Sequence, residues 1–136
     1  MAKYRVVCSK CGEALDVSDD CKCAKCGADI VIPRGGMLQI YRMGNFIGSA
    51  AAFGIYINEI PYGHMANRQT CCIPLAFGQY KIHITCGMNR RCNDPVITLT
   101  PENPISYQKV HIKMGAFSNT QVVETAAPNE MPPVEE

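Results

Sequence analysis

Four cysteines in two copies of one short pattern are the residues of this chain with the clearest chemistry. Each copy is Cys-x-x-Cys followed at once by glycine, at residues 8–12 and 23–27. Two such pairs can surround one Zn²⁺ ion at Zn–S distances of about 2.3 Å, and the residues between them are enough for a hairpin that brings the pairs together. The pattern therefore predicts one structural zinc ion per chain, bound by Cys8, Cys11, Cys23 and Cys26.

The glycine after each pair also has a structural reason. The backbone must curl back over the metal after the second cysteine, and Gly12 and Gly27 can adopt the positive φ that this curl favours. A shell of four sulfurs leaves no coordination position for water or substrate. The chain also lacks the serine elbow, the phosphate-binding glycine loop and the His-Glu-x-x-His signature of common enzyme classes. We therefore expect a protein that is not an enzyme.

Other interpretations of these cysteines stay open at the level of sequence. Cys21, which lies two residues before Cys23, could replace one of the four ligands, although the repeated pattern argues against it. The pairs could also form disulfides in a secreted domain. Residues 1–7 carry charges and lack the apolar stretch of a secretory signal, so we expect a cytoplasmic protein whose paired thiols hold metal. No apolar run is long enough for a membrane span.

The first part of the chain resembles a short N-terminal zinc ribbon of the kind found ahead of many bacterial domains. The residues that carry this resemblance are 4–32, with both Cys-x-x-Cys-Gly patterns. A unit of this size cannot bury enough apolar surface to fold alone, so we expect the metal to supply the missing stability. We predict a zinc ribbon over residues 1–33 and a linker at 34–36, where Pro33, Gly35 and Gly36 interrupt the strand pattern.

Beyond the linker, short strand-like runs follow one another at the spacing of an antiparallel sandwich. In residues 79–85, Tyr80, Ile82 and Ile84 alternate with polar residues and are expected to face a core. Residues 105–113 show the same alternation with a break near Gln108, interpreted as a bulge. Helical periodicity is missing. The runs predict an all-β fold, with a β-sandwich over 37–125, and their positions are 37–43, 53–58, 68–75, 79–85, 96–100, 105–113 and 120–124.

This second unit resembles the small β-sandwich domains of the DUF2846 and PEGA type. The segments that carry the resemblance are Leu38 to Arg42, Gly48-Ser49-Ala50, Phe53 to Asn58, Tyr62-Gly63, Pro74-Leu75, Gly78 to Ile84 and Val96 to Leu99. Such domains are transthyretin-like or immunoglobulin-like sandwiches. The resemblance implies a binding or spacer module, and hence a protein partner.

The remaining polar residues have simpler explanations than a second site. Free cysteines are frequent small core residues, and histidines on the polar face of a strand are usually solvated. The residue types alone leave open a second metal site, a redox pair or a disulfide between Cys86 and Cys92. The candidates are Cys71, Cys72, Cys86, Cys92, His64, His83 and His111. The proline-rich, acidic residues 126–136 are expected to be disordered.

Two alternative functions follow from the same residues. The ribbon and the Arg90-Arg91 pair could bind nucleic acid, but charges in residues 1–36 nearly balance and the net charge of the whole chain is +1. The surplus thiols could instead sense oxidants or metals; they are Cys21, Cys71, Cys72, Cys86 and Cys92. The preferred interpretation is a zinc-binding interaction or adaptor module.

Overall fold

The fold consists of strands. The computed structural model describes residues 3–43, 52–115 and 119–131, and within these ranges it contains one 3₁₀ turn, Pro128–Glu130, and no α-helix. No helix in this part of the chain has the length and apolar character needed to cross a membrane. The strands described are β1 Tyr4–Val7, β2 Ala14–Val17, β3 Cys21–Lys22, β4 Asp29–Ile30, β5 Gly36–Arg42, β6 Phe53–Ile57, β7 Ile60–Met65, β8 Thr70–Leu75, β9 Gly78–Cys86, β10 Val96–Leu99, β11 Ile105–Lys113 and β12 Thr120–Thr125.

The strands in the described ranges form three sheets. One has six strands in the order β12-β11-β5-β8-β1-β2, another has four in the order β10-β9-β6-β7, and β3 pairs with β4. Most pairs are antiparallel, as expected, but β5 with β11 and β1 with β8 are parallel. A parallel neighbour requires a long connection, and here the strands from β6 to β10 provide it between β5 and β11. The antiparallel arrangement expected for residues 37–125 is therefore wrong at the pair of β5 with β11, which lies within that range.

The two larger sheets contribute to one hydrophobic core. The alternation expected in β9 is confirmed: Ile82 and Ile84 are fully buried, and Tyr80 packs partly buried against the same cluster. Burial of such side chains stabilises the fold by roughly 1.5–3 kcal/mol each. The other fully buried members that the two sheets supply are Leu38, Ile40, Ile73, Val110, Val123, Phe53, Ile55, Ile57, Met65 and Leu99.

Two polar residues belong to the buried faces of their strands. Gln108 is 2% exposed and donates to Ser106 Oγ at 3.0 Å, while its neighbours pair regularly with both β5 and β12. The expected bulge near Gln108 is therefore wrong, because a buried amide continues the alternation. Arg42 is also buried, 3.6 Å above the centroid of the Phe53 ring, and donates to the carbonyl oxygen of Met65 at 3.0 Å.

The turns follow backbone chemistry that the sequence indicates. Asn58 and Glu59 join β6 to β7 with φ values of 51° and 70°, as in a two-residue hairpin turn that needs positive φ at both positions. The turn after Leu75 leads into β9 at Gly78, where φ is 151°. Strand β7 was not predicted as a separate strand, since Pro61 and Gly63 disfavour a strand interior. It lies at a sheet edge, where proline is tolerated.

The first hairpin extends the large sheet. β1 lies next to β8, with Tyr4 opposite Cys72, and β2 forms the outer edge. Of the linker expected at 34–36, Gly36 is already the first residue of β5. The boundaries predicted for the ribbon, 1–33, and for the sandwich, 37–125, stay predictions. The pairing of β1 with β8 joins these two parts by hydrogen bonds.

Two sequence predictions involve residues outside the described ranges. The Gly48-Ser49-Ala50 segment of the resemblance lies there, and so do residues 132–136 of the tail expected to be disordered. Within the described part of that tail, Ala126 is 5% exposed and its N–H donates to the carbonyl oxygen of Tyr107. The first residue of the tail is thus packed against β11.

Candidate metal centre

Two hairpins carry the four predicted ligands. Cys8 follows the last residue of β1, and Cys11 lies in the turn that leads to β2. Cys23 follows β3, and Cys26 lies in the turn that leads to β4. Each Cys-x-x-Cys pair therefore occupies the tip of a hairpin, and the two tips face each other.

The main chain has the same hydrogen bonds at both tips. Gly12 N donates to the carbonyl oxygen of Cys8, and Gly27 N to that of Cys23, each at 2.8 Å. Cys8 N donates to Glu13 O at 2.9 Å, and Cys23 N to Ala28 O at 2.8 Å. The repeated sequence thus gives a repeated backbone structure.

The glycines have the positive φ that the sequence predicts. The φ angle is 80° at Gly12 and 78° at Gly27. A Cβ atom at either position would meet nothing within 4 Å, so the backbone angle and not crowding accounts for glycine. A residue with a side chain is disfavoured by about 1 kcal/mol or more in this conformation.

The four sulfur atoms lie at distances suited to one tetrahedral ion. Cys8 Sγ is 3.6 Å from Cys26 Sγ, and Cys11 Sγ is 3.7 Å from Cys23 Sγ. All four lie within 4.8 Å of one another. A tetrahedron with Zn–S bonds of about 2.3 Å has edges of about 3.8 Å. The structure therefore brings Cys8, Cys11, Cys23 and Cys26 together in a group that could hold a metal ion.

Backbone N–H groups stabilise negative charge on one sulfur of each pair. The N–H groups of Cys11 and Lys10 lower the pKa of Cys8 to about 6. Those of Cys26 and Lys25 lower the pKa of Cys23 in the same way. The thiolate is the form that binds metal, so both tips favour the metal-binding thiolate form of their first cysteine.

The fourth thiol shows why the group would need a cation to hold all four sulfurs as thiolates. The N–H of Ala28 lowers the pKa of Cys26, but burial and the three neighbouring thiols raise it, with a net result of about 12. Four thiolates at these distances repel one another unless a positive charge lies between them. The donor set therefore fits a divalent, thiophilic ion such as Zn²⁺.

Little apolar surface surrounds the sulfurs. The buried members of the local cluster are Val6, Cys8, Cys23 and Ile30, with partly buried neighbours Leu15, Val17, Ala28 and Ile32. An exposed ion pair, Lys25 Nζ to Glu13 Oε2 at 3.1 Å, also links the two tips. Exposed pairs contribute at most about 1 kcal/mol. Neither feature equals the stabilisation that a bound metal would give.

The remaining cysteines lie outside this group. Cys21 is exposed in β3 and opposite Ile30, away from the four sulfurs. Cys71 and Cys72 are buried in β8, and burial raises the pKa of both, to about 11 for Cys71. All nine cysteines are free thiols.

Two histidines have carboxylate partners that the sequence did not predict. His83 Nδ1 lies 2.7 Å from Asp94 Oδ1, and His111 Nε2 lies 3.2 Å from Glu124 Oε1. The expectation of simply solvated rings missed these pairs, because the partners come from a later loop and from β12. His64 is exposed in β7.

Arg90 and Arg91 are both exposed, in the loop between β9 and β10. The Arg90 guanidinium lies 5.6 Å from the centroid of the Tyr56 ring. The carbonyl oxygen of Arg91 accepts a hydrogen bond from Gln121 N at 2.8 Å, which fixes the loop on β12.

The geometry of the four sulfurs is the main guide to function, because comparison with known proteins adds nothing to it. The resemblance to zinc ribbons and to DUF2846 and PEGA type sandwiches stays an expectation. No family model matches this chain, and no curated protein and no solved structure matches it.

Proposed function

We propose that this protein is a zinc-binding interaction module without enzymatic activity, in which the metal has a structural role. The observation that carries the proposal is the close approach of four sulfurs from two hairpin tips, with distances across the tips of 3.6 Å from Cys8 to Cys26 and 3.7 Å from Cys11 to Cys23. In this proposal the two hairpins form a zinc ribbon, and the two larger sheets form a transthyretin-like or immunoglobulin-like β-sandwich.

A structural role follows from the donor set. Catalytic zinc sites use three protein ligands and keep one position for water, whereas sites with four cysteines are closed. The ion would then link the tip of β1–β2 to the tip of β3–β4 and replace the core that the N-terminal hairpins lack. We expect these hairpins to depend on metal for folding.

A groove beside the hairpins supports the idea of a protein partner. It has a volume of about 540 Å³ and lies where residues 18–20 and 32–37 meet Pro74, Pro104 and Ile105. One apolar side chain in its wall is incompletely covered, since Ile105 is 45% exposed. Grooves with apolar walls and a few charged groups are typical binding surfaces for peptides and proteins.

Metal analysis of the purified full chain tests the structural part of the proposal. We expect one zinc ion per chain to survive gel filtration and to be lost in Cys11→Ser. Cys21→Ser is the matched control, because Cys21 lies outside the sulfur group, and it should retain the ion. Zinc retention by Cys11→Ser would contradict the assignment.

The same material distinguishes the two alternative functions. A nucleic-acid-binding protein would retard DNA or RNA in a gel with an affinity that falls steeply with salt. A thiol sensor would lose free thiols under mild peroxide while zinc remains bound. A zinc-loaded chain that shows neither behaviour supports the interaction module.

A further inference from the structure

A second group of side chains that could hold a metal ion lies between β9 and the loop before β10, where Cys92 packs, partly buried, against the hydrophobic core. His83 projects from β9, and Cys92 and Asp94 lie in the loop before β10. One ligand atom from each of these three residues lies within 4.8 Å of the other two. We propose that His83, Cys92 and Asp94 form a second, weaker binding site for a divalent transition-metal ion, distinct from the four-cysteine group.

The loop that carries two of these ligands is firmly anchored. The Asn93 side chain donates to Val123 O and accepts from Val123 N, both at 2.8 Å. Pro95 O accepts from Ile82 N at 2.9 Å. Cys92 and Asp94 on either side of Asn93 are thus held against β9 without needing the metal, so binding would cost little ordering entropy.

The backbone at Asp94 is in an uncommon conformation. Its φ angle is 46°, in the left-handed region that most residues with side chains avoid. In this conformation its Oδ1 lies 2.7 Å from His83 Nδ1. Cys92 Sγ accepts a hydrogen bond from Ile84 N at 3.4 Å, the same kind of N–H support that the sulfurs of the first site receive.

The donor set indicates the class of ion. One imidazole, one thiolate and one carboxylate suit Zn²⁺, Co²⁺ or a similar borderline ion, and do not suit Mg²⁺ or Ca²⁺, which prefer oxygen ligands. Three protein ligands leave at least one coordination position for a water or small ligand. This contrasts with the closed four-sulfur group.

A groove lies next to this cluster. It has a volume of about 330 Å³, and His83 and Asp94 belong to its wall together with Tyr56, Glu59, Lys81 and Arg90. Lys81 and Glu59 pair with each other at 3.6 Å. The cluster is therefore accessible to an ion from solvent, and the charges in the groove are close to balance.

Cobalt binding to the zinc-loaded full chain tests this site. With one equivalent of Zn²⁺ in the four-cysteine group, added Co²⁺ should give a thiolate-to-cobalt charge-transfer band with the intensity of a single thiolate. Cys92→Ala should abolish this band, because it removes the only thiolate of the site, and Asp94→Asn should weaken cobalt binding about tenfold or more. Cys86→Ala is the matched control, since Cys86 lies outside the cluster, and should leave the band unchanged.

Alkylation of the chain without substitutions tests the second site independently. Because it needs no variant, misfolding of a variant cannot affect the result. We expect iodoacetamide to modify Cys92 at least about tenfold more slowly when Co²⁺ or Zn²⁺ occupies the second site, with Cys21 as internal reference. The proposal is overturned if zinc-loaded chain gives no thiolate band with cobalt, if Cys86→Ala loses the band equally, or if metal leaves Cys92 alkylation unchanged.

Discussion

Arg5 Nη1 lies 3.0 Å from the carbonyl oxygen of His64, so a side chain from β1 is hydrogen-bonded to the backbone of β7. The same nitrogen donates to Tyr62 O at 2.9 Å, and Nε donates to Asp16 Oδ1 at 2.7 Å. Gly63 lies between the two acceptors, and a Cβ there would come within 2.8 Å of Arg5 Nη1. The β1–β2 hairpin belongs to the six-stranded sheet, and through Arg5 it is also hydrogen-bonded to β7 of the four-stranded sheet.

Removal of this guanidinium should destabilise the whole chain. Arg5→Met leaves two main-chain carbonyls without their donor, and we expect the free energy of unfolding to fall by about 2 to 4 kcal/mol. Urea unfolding of zinc-loaded protein measures the change. Asp16→Asn is the matched control, because Asp16 is about half exposed, and should cost about 1 kcal/mol or less. Equal losses in both variants would contradict this role of Arg5.

Metal removal should unfold the hairpins before the sheets. After chelation we expect the amides of Cys8 and Cys23 to lose protection from hydrogen exchange, because the hydrogen bonds of the tips depend on the bound ion. The amides of Ile82 and Ile84, in the buried strand β9, should stay protected. Full protection at Cys8 in the metal-free chain, or simultaneous loss in β9, would be inconsistent with a structural metal confined to the hairpins.

Substitution of Gly27 tests the backbone at the second tip. Gly27→Val places a β-branched residue at a φ of 78°, which we expect to cost at least about 1 kcal/mol and to weaken zinc binding roughly tenfold. Gly27→Asn should be milder, since asparagine tolerates the left-handed region. Competition with a chromophoric chelator measures both affinities. Identical affinities for Val and Asn would show that φ at this position does not matter.

Alkaline pH should destabilise the fold through Cys71. Burial raises the pKa of this thiol to about 11, from 9.0 in the unfolded chain. A raised pKa means that the contribution of the neutral thiol is fully present below pH 9 and is lost as the pH rises toward 11. Unfolding of zinc-loaded wild type and Cys71→Ala at several pH values isolates this effect. The difference in stability between them should shrink over this pH range, and a constant difference would refute the assignment.

Local patterns in the sequence were enough to predict several parts of the structure. Two predictions rely only on neighbours in sequence. The cysteines of the two Cys-x-x-Cys-Gly patterns lie together as expected, and Ile82 and Ile84 are buried as the alternation in β9 predicts. The position of Cys21 outside the sulfur group agrees with the repeat as well.

Features that depend on distant partners could not be predicted. The burial of Arg42, a charged residue, depends on Phe53 and Met65, which come from β6 and β7. Gln108 looked like a break in register because its partner Thr125 comes from the next strand. The pairing of β1 with β8 joins residues far apart in the chain, and nothing in either strand indicates it.

The place of β1 beside β8 has a further consequence. A strand that loses its neighbour exposes a row of unpaired N–H and carbonyl groups, which invites pairing with another copy. If the first hairpin detaches when zinc is withdrawn, β8 becomes such an edge. Zinc starvation should then produce self-association, visible as larger species in sedimentation velocity at rising concentration. The proposed zinc ion would in that case also protect the chain from aggregation.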